Sequence, residues 1–344
     1  MEKLPKCRIL KRLSGPTTFI YYPEINGKRI LLLGEKHSII DICHKNTDET
    51  QEIHEWLYNL AFYSPTCLDL FVEDNIFSIK KSKIKPLKYY RAPLQAVRYT
   101  FNPCNKIQKN EKCNVDNLRY HLVDLRELDE NYQNFSFTFM ESSFDLSEEE
   151  IKKVSDILHK YFNNIISFIS GFSEDELGKK YYYKILKILS EYNLHLDLNK
   201  YIENYEIYRI KYLKFIKKQI KKIKDFNEDF FLESLINANK KNSEDNIYDL
   251  FIEISSLINM DVYFLLRYLH TYDFEKIERG PEKCRKKEFN TSKYSIVYGG
   301  TTHIEVYNYF FQEYYNIKPS IYIKKNKSCI KLSEPFDFFE NYVY

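Results

Sequence analysis

Lys28-Arg29-Ile30-Leu31-Leu32-Leu33-Gly34-Glu35-Lys36-His37 runs from four uninterrupted aliphatic residues directly into Gly, Glu and His. An aliphatic run of this kind predicts a strand buried on both faces, as in parallel sheets covered by helices. Gly34 lets the chain turn sharply where that strand leaves the sheet, so Glu35 and His37 sit just beyond its carboxyl end. In open α/β sheets the ligand crevice lies outside the carboxyl ends of the parallel strands. The rest of the chain is therefore read for segments that deliver reactive groups to the same edge.

Upstream, Thr17-Thr18-Phe19-Ile20-Tyr21-Tyr22 is rich in β-branched and aromatic residues, and Asn26-Gly27 separates it from the Ile30 run. That dipeptide favours a tight hairpin turn, so a β-hairpin leads into the first central strand. Downstream, Asp48 is placed to cap a helix whose Ile53, Trp56, Leu57, Leu60 and Ala61 recur at the spacing of one buried face. Three further strands are expected at Cys67–Asp74, Tyr120–Arg126 and Ser295–Tyr298, with a helical piece at Leu94–Tyr99 and a long helix from Thr302 to Tyr315. Ile304, Tyr307, Phe310 and Phe311 mark the apolar face of that long helix. The segments Ile321-Tyr322-Ile323 and Cys329-Ile330-Lys331-Leu332 read as a terminal hairpin.

Between these segments the pattern becomes helical. Leu146-Ser147-Glu148-Glu149-Glu150-Ile151 reads as a capping box with a hydrophobic staple, and Phe172–Leu177 repeats the device. Asp261–His270 is apolar almost all round except at Arg267, whose guanidinium would require an acceptor if buried. The expected organisation is an α/β protein with a central mostly parallel or mixed sheet flanked by helices and a large helical insertion. Residues 1–130 form the N-terminal half of the core, 131–257 the insertion and 258–344 the C-terminal half, the two halves making one composite domain.

Composition narrows the partners. In 344 residues, 52 Lys and Arg face 49 Asp and Glu, and a net charge of +3 creates no global field that would argue for a nucleic-acid partner. A basic run, Lys211, Lys214, Lys217, Lys218, Lys221, Lys222 and Lys224, is interleaved with Ile216, Ile220 and Ile223, which is the pattern of a helix with one solvated face. The seven cysteines are odd in number, scattered and without a C-x-x-C pair, which argues for free thiols in a reducing compartment over a disulfide framework or zinc finger. No run approaches the ~20 apolar residues of a membrane span. A cytoplasmic location is expected, in the host cytoplasm if the source is viral.

Gly34-Glu35-Lys36-His37 and Gly300-Thr301-Thr302-His303 are both G-x-x-H, and each follows a predicted central strand in a chain with only eight histidines. Glu73, Asp74, Asp124 and Arg126 belong to the same expected edge. Imidazoles and carboxylates together suit zinc, manganese or cobalt, or can activate water directly. His303 would lie in the first turn of its helix, where the dipole disfavours imidazolium. Arg126 or Arg267 could steady a developing oxyanion through paired N–H donors. Bland roles are available too. Asp124 can pair with Arg126, and Arg267 can close an ion pair with Asp261 or Asp124.

The two G-x-x-H elements, Glu73 at the end of Leu70-Phe71-Val72-Glu73, the strand His121-Leu122-Val123-Asp124-Leu125-Arg126 and the Tyr298-Gly299-Gly300 lead-in resemble the superfamily of Tiki and TraB proteins, erythromycin esterases and ChaN-like proteins. Within it the chain looks most like members from large DNA viruses, over roughly residues 15–130 and 258–325. The resemblance implies a mixed α/β sheet with a site where the two G-x-x-H elements meet. It also implies hydrolysis of a peptide or ester bond in a small-molecule or peptide substrate, with a divalent metal (Mn, Co or Zn) held by His37, His303, Glu35 and Glu73. Glu35, His37 and His303 match its motifs, and Glu73, Asp124, Arg126 and Arg267 match by context. ChaN-like relatives imply a different use of the crevice, as a haem-binding pocket, and a host-interaction role for the insertion is a third reading.

The lysine run generates one expectation. If its lysines form a solvated face, replacing Lys214, Lys217, Lys218 and Lys221 by Gln leaves retention on a heparin column unchanged.

Overall fold

The computed structural model describes residues 10–25, 27–36, 43, 50–75, 93–104, 113–124, 260, 261, 264, 268 and 282–339. The chain divides into two compact units, one formed by Met1–Val123 with Arg267–Tyr344 and the other by Asp124–Leu266. The helical insertion expected over 131–257 lies outside the described residues, as do the two capping boxes, the lysine run and Arg267. In the second unit the described Met260, Asp261 and Phe264 are buried and helical.

Nine strands are described: β1 Leu10–Ser14, β2 Thr18–Ile25, β3 Lys28–Glu35, β4 Thr50–Glu52, β5 Leu68–Asn75, β6 Leu118–Asp124, β7 Tyr294–Gly300, β8 Ile321–Lys324 and β9 Cys329–Phe336. Three α-helices accompany them, α1 Ile53–Phe62, α2 Pro93–Phe101 and α3 Thr301–Tyr315. Six strands form one sheet in the order β6-β5-β7-β3-β2-β8, and β4-β1-β9 form a second. β3 and β5 both run parallel to β7, whereas β2 is antiparallel to β3 and to β8. This is a mixed α/β fold.

The hairpin across Asn26-Gly27 forms as its residues dictate. Tyr22 pairs with Ile30, Thr18 pairs with Gly34, and Gly27 has φ 71°, which glycine adopts without a Cβ penalty. Ile30 to Leu33 are completely buried, which fits the aliphatic run. α1 buries Ile53, Trp56, Leu57, Leu60 and Ala61, the five residues its periodicity singles out. Its first turn differs from expectation: Thr50–Glu52 are strand β4, so the N-cap is Glu52 and Asp48 lies before that strand. α3 packs on β2, β3 and β7 and buries Ile304, Tyr307, Phe310 and Phe311. Tyr22 donates to Asn308 Oδ1 at 2.7 Å, joining β2 to the same helix.

Two sequence expectations are corrected. β8 and β9 do not make a hairpin with each other; β8 pairs with β2 and β9 with β1, so the segment between them passes from one sheet to the other. The thiols are not free: Cys43–Cys329, Cys67–Cys284 and Cys104–Cys113 are disulfides, and only Cys7 lies outside the described residues. An odd total hid three pairs, two of them joining positions 286 and 217 residues apart, a distance at which linear spacing carries no pairing information. Among the described residues no helix is long and apolar enough to cross a membrane.

The near end of the central strands is held by a buried charge network that the apolar reading of β5 did not foresee. Asp69 has no exposure, and its two carboxylate oxygens accept from Arg119 Nε and Nη2, each at 2.7 Å. His121, two residues along β6 and so on the same face, places Nε2 2.7 Å from Asp69 Oδ1 and stacks on Phe71 with ring centroids 4.4 Å apart. Arg119 also donates to the carbonyls of Phe289 and Thr291, in the segment that enters β7. Burial pushes the Asp69 carboxyl up, but the Arg119 guanidinium and the His121 ring outweigh it and hold it below the usual carboxylate range. Nearby, burial pulls the Lys28 ammonium down to about 8, while its Nζ donates to the Tyr268 carbonyl at 2.8 Å.

Removing Arg119 would strand a buried carboxylate. Arg119→Met should lower stability by about 3–5 kcal/mol in urea unfolding at neutral pH. Because Asp69 titrates lower in the folded protein than in the unfolded chain, its contribution is complete above about pH 4 and disappears as pH falls through its folded value. The gap between wild type and the Arg119→Met variant should therefore narrow on acidification.

Candidate functional site

The register of three strands decides what meets at the carboxyl edge. Leu33 pairs with Tyr298, Gly34 with Gly299 and Glu35 with Gly300, so the two G-x-x-H elements begin one residue out of step on adjacent parallel strands. On the other side of β7, Val72 pairs with Tyr298, so Glu73 follows one residue later, next to Gly299 and one step before the Glu35–Gly300 pair. β7 thus separates two carboxylates contributed by strands that are 38 residues apart at Glu35 and Glu73.

Both carboxylates are buried and both bind β7. Glu35, 1% exposed, accepts from the Tyr298 hydroxyl through Oε2 at 2.5 Å. Glu73, 3% exposed, accepts from the Gly300 backbone N–H through Oε2 at 2.6 Å. Gly300 is the N-cap of α3 and has no side chain to satisfy the helix start, so a carboxylate from the neighbouring strand stands at the positive end of the dipole. Burial, and then the nearby charge of Glu35, push the Tyr298 hydroxyl well above its ordinary value; Glu52 and Glu73 add in the same direction. Tyr298 therefore stays protonated and donates to Glu35 across the working pH range.

His303 is the third residue of α3 and is buried. Its position follows from how closely the helix starts against β3. A Cβ on Gly34 would lie 2.9 Å from the Thr301 Cα, and the Thr17 and Thr301 hydroxyl oxygens are 2.8 Å apart. The Thr17 amide also donates to the Gly34 carbonyl at 2.7 Å. Gly34 stays within β3 without a positive φ, so the sharp turn expected there is not made; glycine is required at this position by close approach to the helix start.

An arginine holds the carboxyl end of β5. Arg98, in the last turn of α2, donates through Nε to the Glu73 carbonyl at 2.7 Å, and its Nη2 donates to the same oxygen. The Arg98 Nε also lies 3.5 Å from Asp74 Oδ1, while Tyr120 donates to Asp74 Oδ2 at 3.2 Å. Arg98 and Tyr298 are the residues that sequence reading did not single out. A tyrosine at the end of a fully buried strand is a usable signal, because its hydroxyl must find a partner. Nothing in the sequence around Arg98 distinguishes it from other helical arginines.

Of the expected site residues, Glu35, Glu73 and His303 are brought to the ends of adjacent strands. Asp124 is the buried last residue of β6, the neighbour of β5. His37, Arg126 and Arg267 lie outside the described residues. His121, within the same strand β6, binds Asp69. Among the described residues no group of three or more His, Cys, Asp or Glu side chains could hold a metal ion.

The chain was compared with protein-family models, with curated proteins and with solved structures, and none of the three comparisons finds a match.

The close approach at Gly34 is testable. Gly34→Ala places a methyl carbon against backbone that belongs to a helix start, so it should destabilise the protein by about 1–3 kcal/mol in urea unfolding. Gly34→Ala combined with Thr301→Ser should show no recovery, since the closest obstruction is the Thr301 Cα and not its side chain.

Proposed function

We propose that this chain is a hydrolase acting on a peptide or ester bond, with its centre at the carboxyl ends of β3, β5 and β7. The observation that carries the reading is the pairing of Glu35 with Gly300, which starts the two G-x-x-H elements one residue apart on adjacent parallel strands. In the proposed reaction, Glu35 accepts a proton from water as the water oxygen attacks the carbonyl carbon. The protonated Glu35 then hands that proton to the departing nitrogen or oxygen. Neutral His303, joined by His37 two residues beyond Glu35 in the chain, accepts a hydrogen bond from the attacking water and helps to activate it. Tyr298 orients Glu35 through the hydroxyl bond, and Glu73 holds the start of the helix that carries His303. Arg126 or Arg267 would steady the oxyanion, with Asp124 orienting that arginine.

The resemblance to the Tiki, TraB and erythromycin esterase superfamily supports the same reaction class. It also brings the proposal that a divalent metal (manganese, cobalt or zinc) binds His37, His303, Glu35 and Glu73. The metal content of the purified protein reads that point directly. A haem-like anionic ligand in the same crevice is the weaker reading, because two buried carboxylates at the strand ends oppose an anion.

Hydrolysis of ester and peptide libraries tests the proposal. Glu35→Gln and His303→Ala should each lower kcat/KM by about 10²–10⁴-fold. Tyr298→Phe should cause a smaller loss and alter the pH profile. Unchanged turnover in both Glu35→Gln and His303→Ala would remove the assignment.

A further inference from the structure

The sheet-bearing unit is assembled from two stretches of sequence, Met1–Val123 and Arg267–Tyr344, with Asp124–Leu266 lying between them in the chain. Cys43 and Cys67 belong to the first stretch, and Cys329 and Cys284 to the second. Both long-range disulfides therefore cross from one stretch to the other. Their places in the fold are informative. Cys67 immediately precedes β5 and Cys284 lies ten residues before β7, its parallel neighbour, and both half-cystines are buried with Phe289. Cys329 opens β9 opposite Ser14 of β1, and its partner Cys43 follows β3 by eight residues, buried, with its Sγ 3.6 Å from the Leu13 carbonyl oxygen. One crosslink thus serves each sheet, at a junction where the two stretches must find one another.

We propose that this unit is completed by thiol oxidation in an oxidising compartment, with Cys43–Cys329 and Cys67–Cys284 acting as covalent staples between its two stretches. The expectation of a reducing compartment rested on unpaired thiols, and the pairing of six cysteines removes that basis. In each staple two thiols lose two protons and two electrons to a disulfide-carrying oxidant, which leaves as a dithiol while the S–S bond forms. Crosslinks between positions so far apart restrict the unfolded chain strongly, so each has a large effect on stability. This inference does not depend on the proposed hydrolysis.

The test uses the full chain made by an oxidising export route and, separately, in a reducing cytosol of the same host. Thiols are alkylated before and after reduction, and the crosslinked peptides are mapped. The exported protein should contain the three disulfides with only Cys7 alkylated before reduction. Reductant should lower its Tm by about 10 °C or more per staple. The paired variants Cys43→Ser with Cys329→Ser, and Cys67→Ser with Cys284→Ser, should each reproduce part of that fall; failure of either to fold also supports the proposal. Other pairings, or a fully reduced protein that melts cooperatively at the same temperature as the exported one, would overturn it.

Discussion

The structure depends on β7 entering the sheet between β3 and β5. A strand with neighbours on both sides must satisfy two hydrogen-bond ladders at once, and this one comes from the far end of the chain. Until residues 294–300 arrive, β3 and β5 have no direct partnership, and each would leave an edge unpaired. Other features converge on the same junction. Arg119 binds the carbonyls of Phe289 and Thr291 just ahead of β7, Cys284 is crosslinked to the residue before β5, and Glu73 binds the amide at which β7 becomes α3.

That insertion gives the same strands two charged levels with different chemistry. At one, Asp69 sits between Arg119 and His121, and its negative charge is matched by a bidentate guanidinium. At the other, Glu35 and Glu73 accept hydrogen bonds from a phenol and a backbone amide, both neutral donors. A carboxylate paired bidentately with arginine is a poor base. This contrast is why stability is assigned to the first level and proton transfer is proposed at the second.

Glycine contributes at the same place for a steric reason. Gly34 allows α3 to begin almost against β3, and Gly300 begins that helix with no capping side chain of its own. The bond to Glu73 supplies part of what a capping side chain would otherwise provide. Shape and charge are therefore coupled at this edge. The backbone can come close because side chains are absent, and the exposed helix start is met by a carboxylate from the next strand.

Much of this was legible from local pattern. Ile30 to Leu33 announced a strand buried on both faces, Asn26-Gly27 a hairpin, and the spacing of Ile53, Trp56, Leu57, Leu60 and Ala61 one face of a helix, because hydrophobic period and turn chemistry act over a few residues. The two G-x-x-H elements could be recognised as a pair for the same reason. Strand order, the parting of β8 and β9 into different sheets, the cysteine pairs, the burial of Asp69 and the bond from Tyr298 to Glu35 were decided by tertiary structure. Each joins residues dozens to hundreds of positions apart, where no local periodicity links them and only the packing of the whole sheet selects the partner.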